Sequence, residues 1–423
     1  MEKDILLHKC PLCSSSYIEY RFIVNGHVIS ACNECGHIFA NPQHDSPDNS
    51  LFTPLYSPDE KGSTDILFID NLDLVNDPYV LLEDVHERLN DGDGILLFVP
   101  LLESENAKRE RQKWAAFQQN RLHFFSFKTL NNILCKCGFG NIEIVSSNKN
   151  GVFVHALRRT KNNTLSFIIP VYNEEATVKE LLDSVYAKDI SHLGLKKEMI
   201  IIESNSTDGT REIVKEFAAD HDDVKLILED RPKGKGHAVR NGFTAATGDF
   251  IAIQDGDLEY DINDYDKLLL PLVNYREAFV LGSRHTGDWR MRKFGEGEKG
   301  IAAFMNAGQI FFTWMINFGC KVKLKDPFTM FKLFRRECLY GLKFDGNRFE
   351  IDWEILIKLI RKGFKPYEIP VNYSSRGFDK GKKVRIFRDP LLWIINFVRY
   401  RYLYKIQKGG AGCEQNKTAQ DNP

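Results

Sequence analysis

Two carboxylates one residue apart, Asp255 and Asp257 in Gln254-Asp255-Gly256-Asp257-Leu258-Glu259, directly follow the apolar run 250–253. Acids at i and i+2, where a strand opens into a turn, offer oxygen ligands to Mg2+ or Mn2+ and leave coordination positions for a diphosphate. An ion there would offset the charge on a departing nucleotide, which makes Asp255 and Asp257 the candidate metal ligands. Such pairs are also common in polar turns, so the surroundings decide. The apolar run 165–169 ends in Pro170-Val171-Tyr172-Asn173-Glu174-Glu175, and the run 199–202 ends in Glu203-Ser204-Asn205-Ser206-Thr207-Asp208-Gly209-Thr210. Ligands of parallel sheets lie outside the carboxyl ends of the strands, where all three clusters would fall. Helix capping is the plainer reading of Asn173 and Asp208.

Cations and a further acid stand elsewhere in the same half of the chain. Lys235 and Arg240 lie where a glycine-rich loop, Gly234-Lys235-Gly236-His237-Ala238, meets a helix. Cations there suit a sugar diphosphate, although an ordinary solvated basic turn has the same composition. Arg284 and the basic loop DWRMRKFGEGEKG at 288–300 are candidates for closing over a bound diphosphate. In 347–354 the acids Glu350, Asp352 and Glu354 open a helix on which i, i+2 and i+4 cannot all face one site. Asp352 is the choice for the acceptor-side carboxylate, with Glu350 and Glu354 behind it. A general base must be ionised near neutral pH and reach the acceptor hydroxyl. A phosphate acceptor is already anionic and needs no strong base, and Asp352 would then only position groups.

A separate constellation lies near the start. Cys10-Pro-Leu-Cys13 and Cys32-Asn-Glu-Cys35 are two C-x-x-C pairs eighteen residues apart, the spacing of a zinc ribbon. Four thiolates close a tetrahedral shell around Zn2+, leaving no open position for chemistry, so such an ion would fasten a piece too small to fold alone. Unligated cysteines are the alternative.

The elements that must position these groups read as α/β. With 423 residues, 43% hydrophobic and 27% charged, the chain is long enough for two or three domains. Lysine plus arginine, 57, balance aspartate plus glutamate, 58, so no overall field favours nucleic acid as a partner. The first residues lack the apolar stretch of a signal peptide and the cysteines are sparse, so a cytoplasmic location is expected. The expected divisions are a zinc ribbon at 1–45, a Rossmann-like segment at 46–160, an α/β domain with a mostly parallel sheet at 163–375, a basic amphipathic helix region at 376–408 and a disordered tail at 409–423. Residues 301–320 carry no charge over membrane-spanning length, but Asn306, Gln309 and Asn317 interrupt them. They are expected to form a soluble helix over the active site. The basic run 380–385 precedes an aromatic and aliphatic segment, 390–402, too short to cross a bilayer. That segment either packs in the core or lies peripherally at the inner face of a membrane.

Residues 65–157, with a zinc ribbon in front, resemble the C-terminal half of class I methyltransferases through NDPYVLLEDVHERLNDGDGILLFVP and HFFSFKTLNNILCKCGFGNIEI. The glycine-rich turn that would hold adenosylmethionine is missing, and fewer than thirty residues separate Cys35 from Asp65. The segment is therefore read as a truncated, inactive remnant. His86 and His123 are taken as packing or surface residues.

Residues 165–401 resemble glycosyltransferase family 2, in the branch of dolichyl-phosphate mannose and glucose synthases and their bacterial relatives. The motifs carrying the resemblance are PVYNE, ESNSTDGT, Gly234-Lys235-Gly236-His237-Ala238 with Arg240 and Gly242, Asp255-Gly256-Asp257, Gly282-Ser283-Arg284, and Asp326-Pro327-Phe328-Thr329-Met330-Phe331-Lys332-Leu333-Phe334-Arg335-Arg336-Glu337. The resemblance implies a GT-A nucleotide-diphospho-sugar transferase fold. It implies inverting transfer from a nucleoside diphosphate sugar to a polyprenyl phosphate or glycan hydroxyl. Pro170, Tyr172, Glu174 and Glu203 would line the nucleotide, and Asp255, Asp257 and Glu259 would hold the metal. Four positions depart from the family pattern: Glu203 replaces an aspartate, Ser204 that aspartate's neighbour, Met330 a glycine and Lys332 an arginine. A bifunctional methyltransferase and glycosyltransferase is one rival. A nucleotidyltransferase is another, but it would need a glycine-rich loop where PVYNEE stands. A non-catalytic scaffold is a third, against which Asp255 and Asp257 both stand.

Overall fold

The structure, a computed structural model, describes residues 5–43, 53–54, 66–70, 72–118, 121–284, 299–374 and 389–404. The expected closing loop after Arg284, the basic run 380–385 and the tail at 409–423 lie outside them, as does most of the proline-rich stretch 41–64. The chain divides into two compact units, one built mainly from Met1–Lys161 and the other from Asn162–Val273 with Glu277–Ile406.

The first unit contains β1 (Ile18–Val24), β2 (His27–Cys32), β3 (Ile38–Ala40), β4 (Thr53–Pro54), β5 (Ile66–Ile69), α1 (Pro78–Arg88), β6 (Gly94–Val99), α2 (Glu105–Glu110), α3 (Ala115–Gln118), β7 (His123–Phe124), α4 (Phe127–Lys136), β8 (Phe139–Ser147) and β9 (Val152–Arg158). They form a small sheet, β1-β2-β3-β7, and a larger one, β4-β5-β6-β9-β8. Asp77 caps α1 through the amides of Tyr79 and Val80, with Pro78 at the first helical position, where its missing N–H costs nothing. Cys10, Cys32, Cys35 and Phe39 share one apolar core with Ile69, Leu82, Ile95 and Leu134. Packing is therefore continuous across the expected boundary at residue 45. His123 is fully buried and shares a hydrogen bond with His37 at 3.1 Å, as a packing residue would.

The second unit comprises β10 (Thr164–Val171), α5 (Val178–Ala187), β11 (Lys196–Glu203), α6 (Thr210–Ala219), β12 (Val224–Leu228), α7 (Lys235–Ala245), β13 (Phe250–Ile253), α8 (Tyr265–Val273), β14 (Phe279–Ser283), α9 (Lys299–Cys320), β15 (Lys332–Arg335), α10 (Ile351–Arg361), β16 (Tyr367–Pro370) and α11 (Asp389–Val398). Its sheet runs β12-β11-β10-β13-β15-β14-β16. β15 is antiparallel to both neighbours and the other pairs are parallel. The central strands are mostly apolar, as parallel strands covered on both faces require, and Ile168, Ile200, Ile202, Ile253 and Phe334 pack with Val239 of α7 and Trp353 and Ile355 of α10. α9 covers 22 residues, as expected for a helix at 301–320, and Asn317 bonds both the amide and the carbonyl of Leu324 beyond its end. No helix among the described residues is long and apolar enough to cross a membrane.

The start of α10 holds the preceding loop. Glu354 accepts hydrogen bonds from the amides of Asp345 (2.9 Å) and Gly346 (2.8 Å), and pairs with Lys358 one turn on at 2.5 Å. Both side chains are fully buried, and the Lys358 ammonium also donates to the Lys343 carbonyl and lies 3.7 Å from the Tyr404 ring centre. Removing one partner of a buried pair strands the other charge, so Glu354→Ala should lower the unfolding free energy in urea by about 3–5 kcal/mol. Glu354→Leu combined with Lys358→Met should cost less than either single change.

Candidate active site

Strand register brings the polar clusters to one rim of the sheet. Val171 pairs with Glu203, Ile168 with Ile253, and the Gln254 amide continues the ladder to the Ile168 carbonyl at 2.9 Å. Antiparallel β15 starts at this rim, because Lys332 pairs with Ile253 on one side and Leu281 on the other. Arg284 stands just past the end of β14. The Asp-Gly-Asp turn lies against the first strand end: a Cβ at Gly256 would meet Val171 Cγ1 at 3.0 Å and the Pro170 carbonyl at 3.3 Å.

The first two turns are laced together. Asn173, in the left-handed region at φ 51°, accepts from the Thr207 amide at 2.8 Å while its own amide donates to Ser206 Oγ at 2.9 Å. Asp208 accepts from the amides of Glu175 (3.2 Å) and Thr210 (3.0 Å). Asp208 thus helps start α6, whereas Asn173 joins two turns and does not cap α5, whose N-cap is Thr177. Pro170, Tyr172 and Glu174 are half-buried along this edge, with the Glu174 amide donating to Thr210 Oγ1 at 2.8 Å. Glu203 is fully buried, accepting from the Ser206 amide at 2.6 Å and facing Arg211 at 3.3 Å. In this structure the longer side chain that replaces the family's aspartate is engaged inside its own turn. Arg211 carries the polarity outward by donating to Asn205 Oδ1 at 2.5 Å.

The cations divide. Lys235 Nζ lies 2.5 Å from Asp255 Oδ1. Burial pushes the Lys235 ammonium pKa down, but Asp255, Asp352 and Glu259 outweigh it and leave it raised. The N-terminus of α7 presents its amides elsewhere: those of Gly236 and His237 donate to the Asn347 carbonyl at 2.9 and 3.3 Å. Gly234, at φ 98°, and Gly236 permit this approach, since a Cβ at Gly236 would sit 2.3 Å from the Gly346 carbonyl. Arg240 donates to the Phe344 carbonyl (3.1 Å) and Asn347 Oδ1 (2.6 Å). Of the expected pair at the glycine-rich loop, Lys235 reaches the Asp255 acid and Arg240 holds the loop before α10. Arg284 grips fully buried Asp326 in a bidentate pair, 2.7 and 2.8 Å, and lies 5.3 Å from the Tyr373 ring centre.

Asp257 Oδ1 accepts from the Glu259 amide at 3.2 Å, and Glu259 Oε2 accepts from the Tyr373 hydroxyl at 2.7 Å. Glu259 is therefore turned toward Tyr373, and the three acids Asp255, Asp257 and Glu259 do not gather as the cysteines do. Among the described residues, the one group of three or more metal-capable side chains whose ligand atoms lie within 4.8 Å of each other is Cys10, Cys13, Cys32 and Cys35. There the Cys10–Cys35 and Cys13–Cys32 sulfurs are 3.6 and 3.5 Å apart, near the ~3.8 Å edge of a tetrahedron with ~2.3 Å zinc–sulfur bonds.

Asp352 has a buried Oδ1 with no hydrogen-bond partner. Burial raises its pKa, Lys235 and Lys332 oppose that rise, and Asp255 adds to it. Lys332 is fully buried, donates to the Thr329 carbonyl, and is brought down to about 8 by burial, with Asp352 and Asp326 holding it up. Glu350 instead accepts from the Asn347 amide, and Glu354 is structural, so of the three acids opening α10 only Asp352 enters the electrostatics of the rim. Tyr373 escapes a reading of the sequence; it lies 114 positions from Glu259, and no local pattern marks it.

Comparison with known proteins places these residues in a family. Residues 166–342 match the profile of glycosyl transferase family 2. A dolichol-phosphate mannosyltransferase of Pyrococcus furiosus is 29% identical over 248 residues, 58% of this chain and 64% of that one. A dolichyl-phosphate beta-glucosyltransferase of Trichomonas vaginalis is 27% identical, covering 51% of this chain and 66% of its own length. This chain thus spans less than two thirds of either relative. Among solved structures, a Mycobacterium tuberculosis glucosyl-3-phosphoglycerate synthase with Mn2+, uridine diphosphate and phosphoglyceric acid covers 57% of this chain and 79% of its own, at 22% identity and a TM-score of 0.39. Residues 166–342 thus match glycosyltransferase family 2, and their motifs stand at the carboxyl rim of a mostly parallel α/β sheet of the GT-A kind.

Proposed function

We propose that this chain is an inverting glycosyltransferase that moves a sugar from a nucleoside diphosphate sugar to an acceptor, either a polyprenyl phosphate or a glycan hydroxyl. The observation that carries this reading is the meeting of Asp255, Lys235, Lys332 and Asp352 at one strand-end rim, in a region that matches family 2. The names of the curated relatives support the lipid-phosphate branch of the acceptor class.

Asp255 and Asp257 would hold Mg2+ or Mn2+, and the raised Lys235 ammonium marks the negative charge that such an ion would balance. The metal, when bound, supplies positive charge to the leaving diphosphate. Glu259, held by Tyr373, orients Asp257 through its amide and need not be a ligand itself. Lys235 has a flexible stem and can pass from Asp255 to a diphosphate oxygen. Pro170, Tyr172 and Glu174 bound the nucleotide, with Glu203 shaping their rim from below. Asp352 takes the proton of an acceptor hydroxyl as its oxygen attacks the anomeric carbon and the bond to diphosphate breaks. Arg284, fixed by Asp326, would stand toward the bound diphosphate. In the first unit, Cys10, Cys13, Cys32 and Cys35 would hold structural Zn2+, and the α/β segment serves as a methyltransferase-like remnant without its cofactor turn. α11 is the segment through which peripheral contact with a membrane would be made if the acceptor is a lipid.

Three measurements test this reading. Asp257→Ala should lower Mn2+-dependent release of nucleoside diphosphate from a panel of nucleotide sugars by about 100-fold or more, with an unchanged circular dichroism spectrum; unaltered release would remove the proposed role. The Lys332 cation opposes protonation of Asp352, so Lys332→Met should raise the Asp352 pKa and move the acidic limb of the kcat/KM profile to higher pH. Lys332→Arg should leave that limb in place, and a limb that moves in neither variant would show that Lys332 does not act on Asp352. Purified protein should carry about one Zn2+ per chain by metal analysis, lost in Cys32→Ser; a metal-free, fully folded chain would contradict the ribbon.

A further inference from the structure

Strand register lines up a second row of side chains along the rim. Val171 pairs with Glu203 and Glu203 with Leu228, so the residues that follow, Tyr172, Ser204 and Glu229, stand level across the ends of β10, β11 and β12. The ladder continues to them: the Ser204 amide donates to the Val171 carbonyl at 3.1 Å and the Glu229 amide to the Glu203 carbonyl at 2.8 Å. Side chains alternate along a strand, so this row shares the sheet face of Ile168, Ile202 and Ile227, which pack with Val239 of α7. Asp255 falls on the same face, because Ile253, two residues before it, is level with Ile168. Along that face the order is therefore Glu229, Ser204, Tyr172, Asp255. The strands β12 and β13 at its ends are three intervals apart, about 14 Å. A nucleoside diphosphate stretched from a metal-held phosphate to the far edge of its base has that reach.

Glu229 is equipped to read N–H groups. It is only 4% exposed, and its Oε1 accepts from His237 Nδ1 at 2.5 Å and from Asn241 Nδ2 at 3.0 Å, both on α7. Its Oε2 is buried and has no hydrogen-bond partner among the described residues. A buried carboxylate oxygen left unpaired costs free energy, and a ligand that donates to it removes the cost. This acid stands apart from the metal ligands, since Lys235, two residues before His237, is the group that faces Asp255. Between Glu229 and Tyr172 the row holds only the short side chain of Ser204. Bases differ in what they offer such an oxygen. Guanine presents N1–H and N2–H2 side by side, whereas uracil presents one N–H between two carbonyl oxygens. Adenine and cytosine each set a ring-nitrogen lone pair beside the amino group. A carboxylate only accepts, so it draws the guanine edge and repels the exposed lone pairs of the others.

We propose that Glu229 reads the base of the donor and selects guanine, with His237 and Asn241 as its positioning residues. The inference rests on the reading of this chain as a nucleoside diphosphate sugar transferase and names the donor class, a guanosine diphosphate sugar. The guanine N–H edge meets Glu229 Oε2 while the diphosphate lies toward Asp255. A purine also covers more of the row from Tyr172 to Glu229 than a pyrimidine does. A site built to take N–H donors rejects analogues that lack them, because its own buried oxygen is then left unpaired.

Calorimetric titration of the full chain with Mn2+ and, in turn, guanosine, inosine and uridine diphosphate tests it. The wild type should bind guanosine diphosphate at least about tenfold more tightly than uridine diphosphate. Inosine diphosphate, which keeps N1–H but lacks the amino group, should fall between them. Glu229→Gln should remove most of the preference for guanine, and His237→Ala should reduce it. A variant that weakens guanosine and uridine diphosphate alike overturns the role given to that residue. Equal binding of guanosine and uridine diphosphate by the wild type overturns the whole inference, leaves the proposed transfer standing, and needs no variant to fold. Inosine diphosphate bound as tightly as guanosine diphosphate also overturns it, because base size alone would then be read. Binding of none of the three would overturn both this inference and the reading it rests on.

Discussion

Negative charge gathered at the end of a parallel sheet is the constraint around which the second unit is arranged. Asp255, Asp257, Glu259 and Asp352 come from a strand-end turn and a distant helix, yet the fields of Asp255, Glu259 and Asp352 all reach Lys235. Acids brought together in a partly buried place repel one another unless cations or protons intervene. Here Lys235 stands against Asp255, and buried Lys332 acts on Asp352 through its field. Under the proposed function, a diphosphate brought with a divalent ion would satisfy both signs at once.

Other acids of the same region work as fasteners, and the distinction lies in what their oxygens already touch. Glu203 is closed on Ser206 and Arg211, Asp326 on Arg284, and Glu354 on Lys358 and two backbone amides. Each fixes a turn or an arginine that borders the rim. The Asn347 carbonyl plays a similar part for α7 by taking the amides of Gly236 and His237 in the first turn, which leaves the Lys235 side chain to face Asp255. Preorganisation of this kind keeps charged groups at working distance without reorganisation during reaction.

Much of this is legible in the sequence because it is local. The strands β10, β11 and β13 announce themselves by short apolar stretches, and each ends in a contiguous polar cluster, so a strand-end site emerges from the order of residues alone. The four cysteines are readable from spacing. The features that escape such a reading depend on residues far apart in the chain: Tyr373 reaches Glu259 across 114 positions, Arg240 reaches Asn347 across 107, and Lys332 meets the rim only because β15 runs antiparallel between β13 and β14. The glycine-rich loop suggests a phosphate cradle, whereas its glycines admit a neighbouring backbone. Residue spacing cannot tell a close approach to a ligand from one to another part of the chain.

The most direct test is Mn2+ binding monitored by electron paramagnetic resonance, with each of a panel of nucleoside diphosphates present, on wild type, Asp255→Asn and Asp257→Asn. The account predicts about one tightly held Mn2+ per chain in the wild type, apart from any zinc on the cysteines, and its loss in both variants. Equal Mn2+ binding by all three proteins would contradict it.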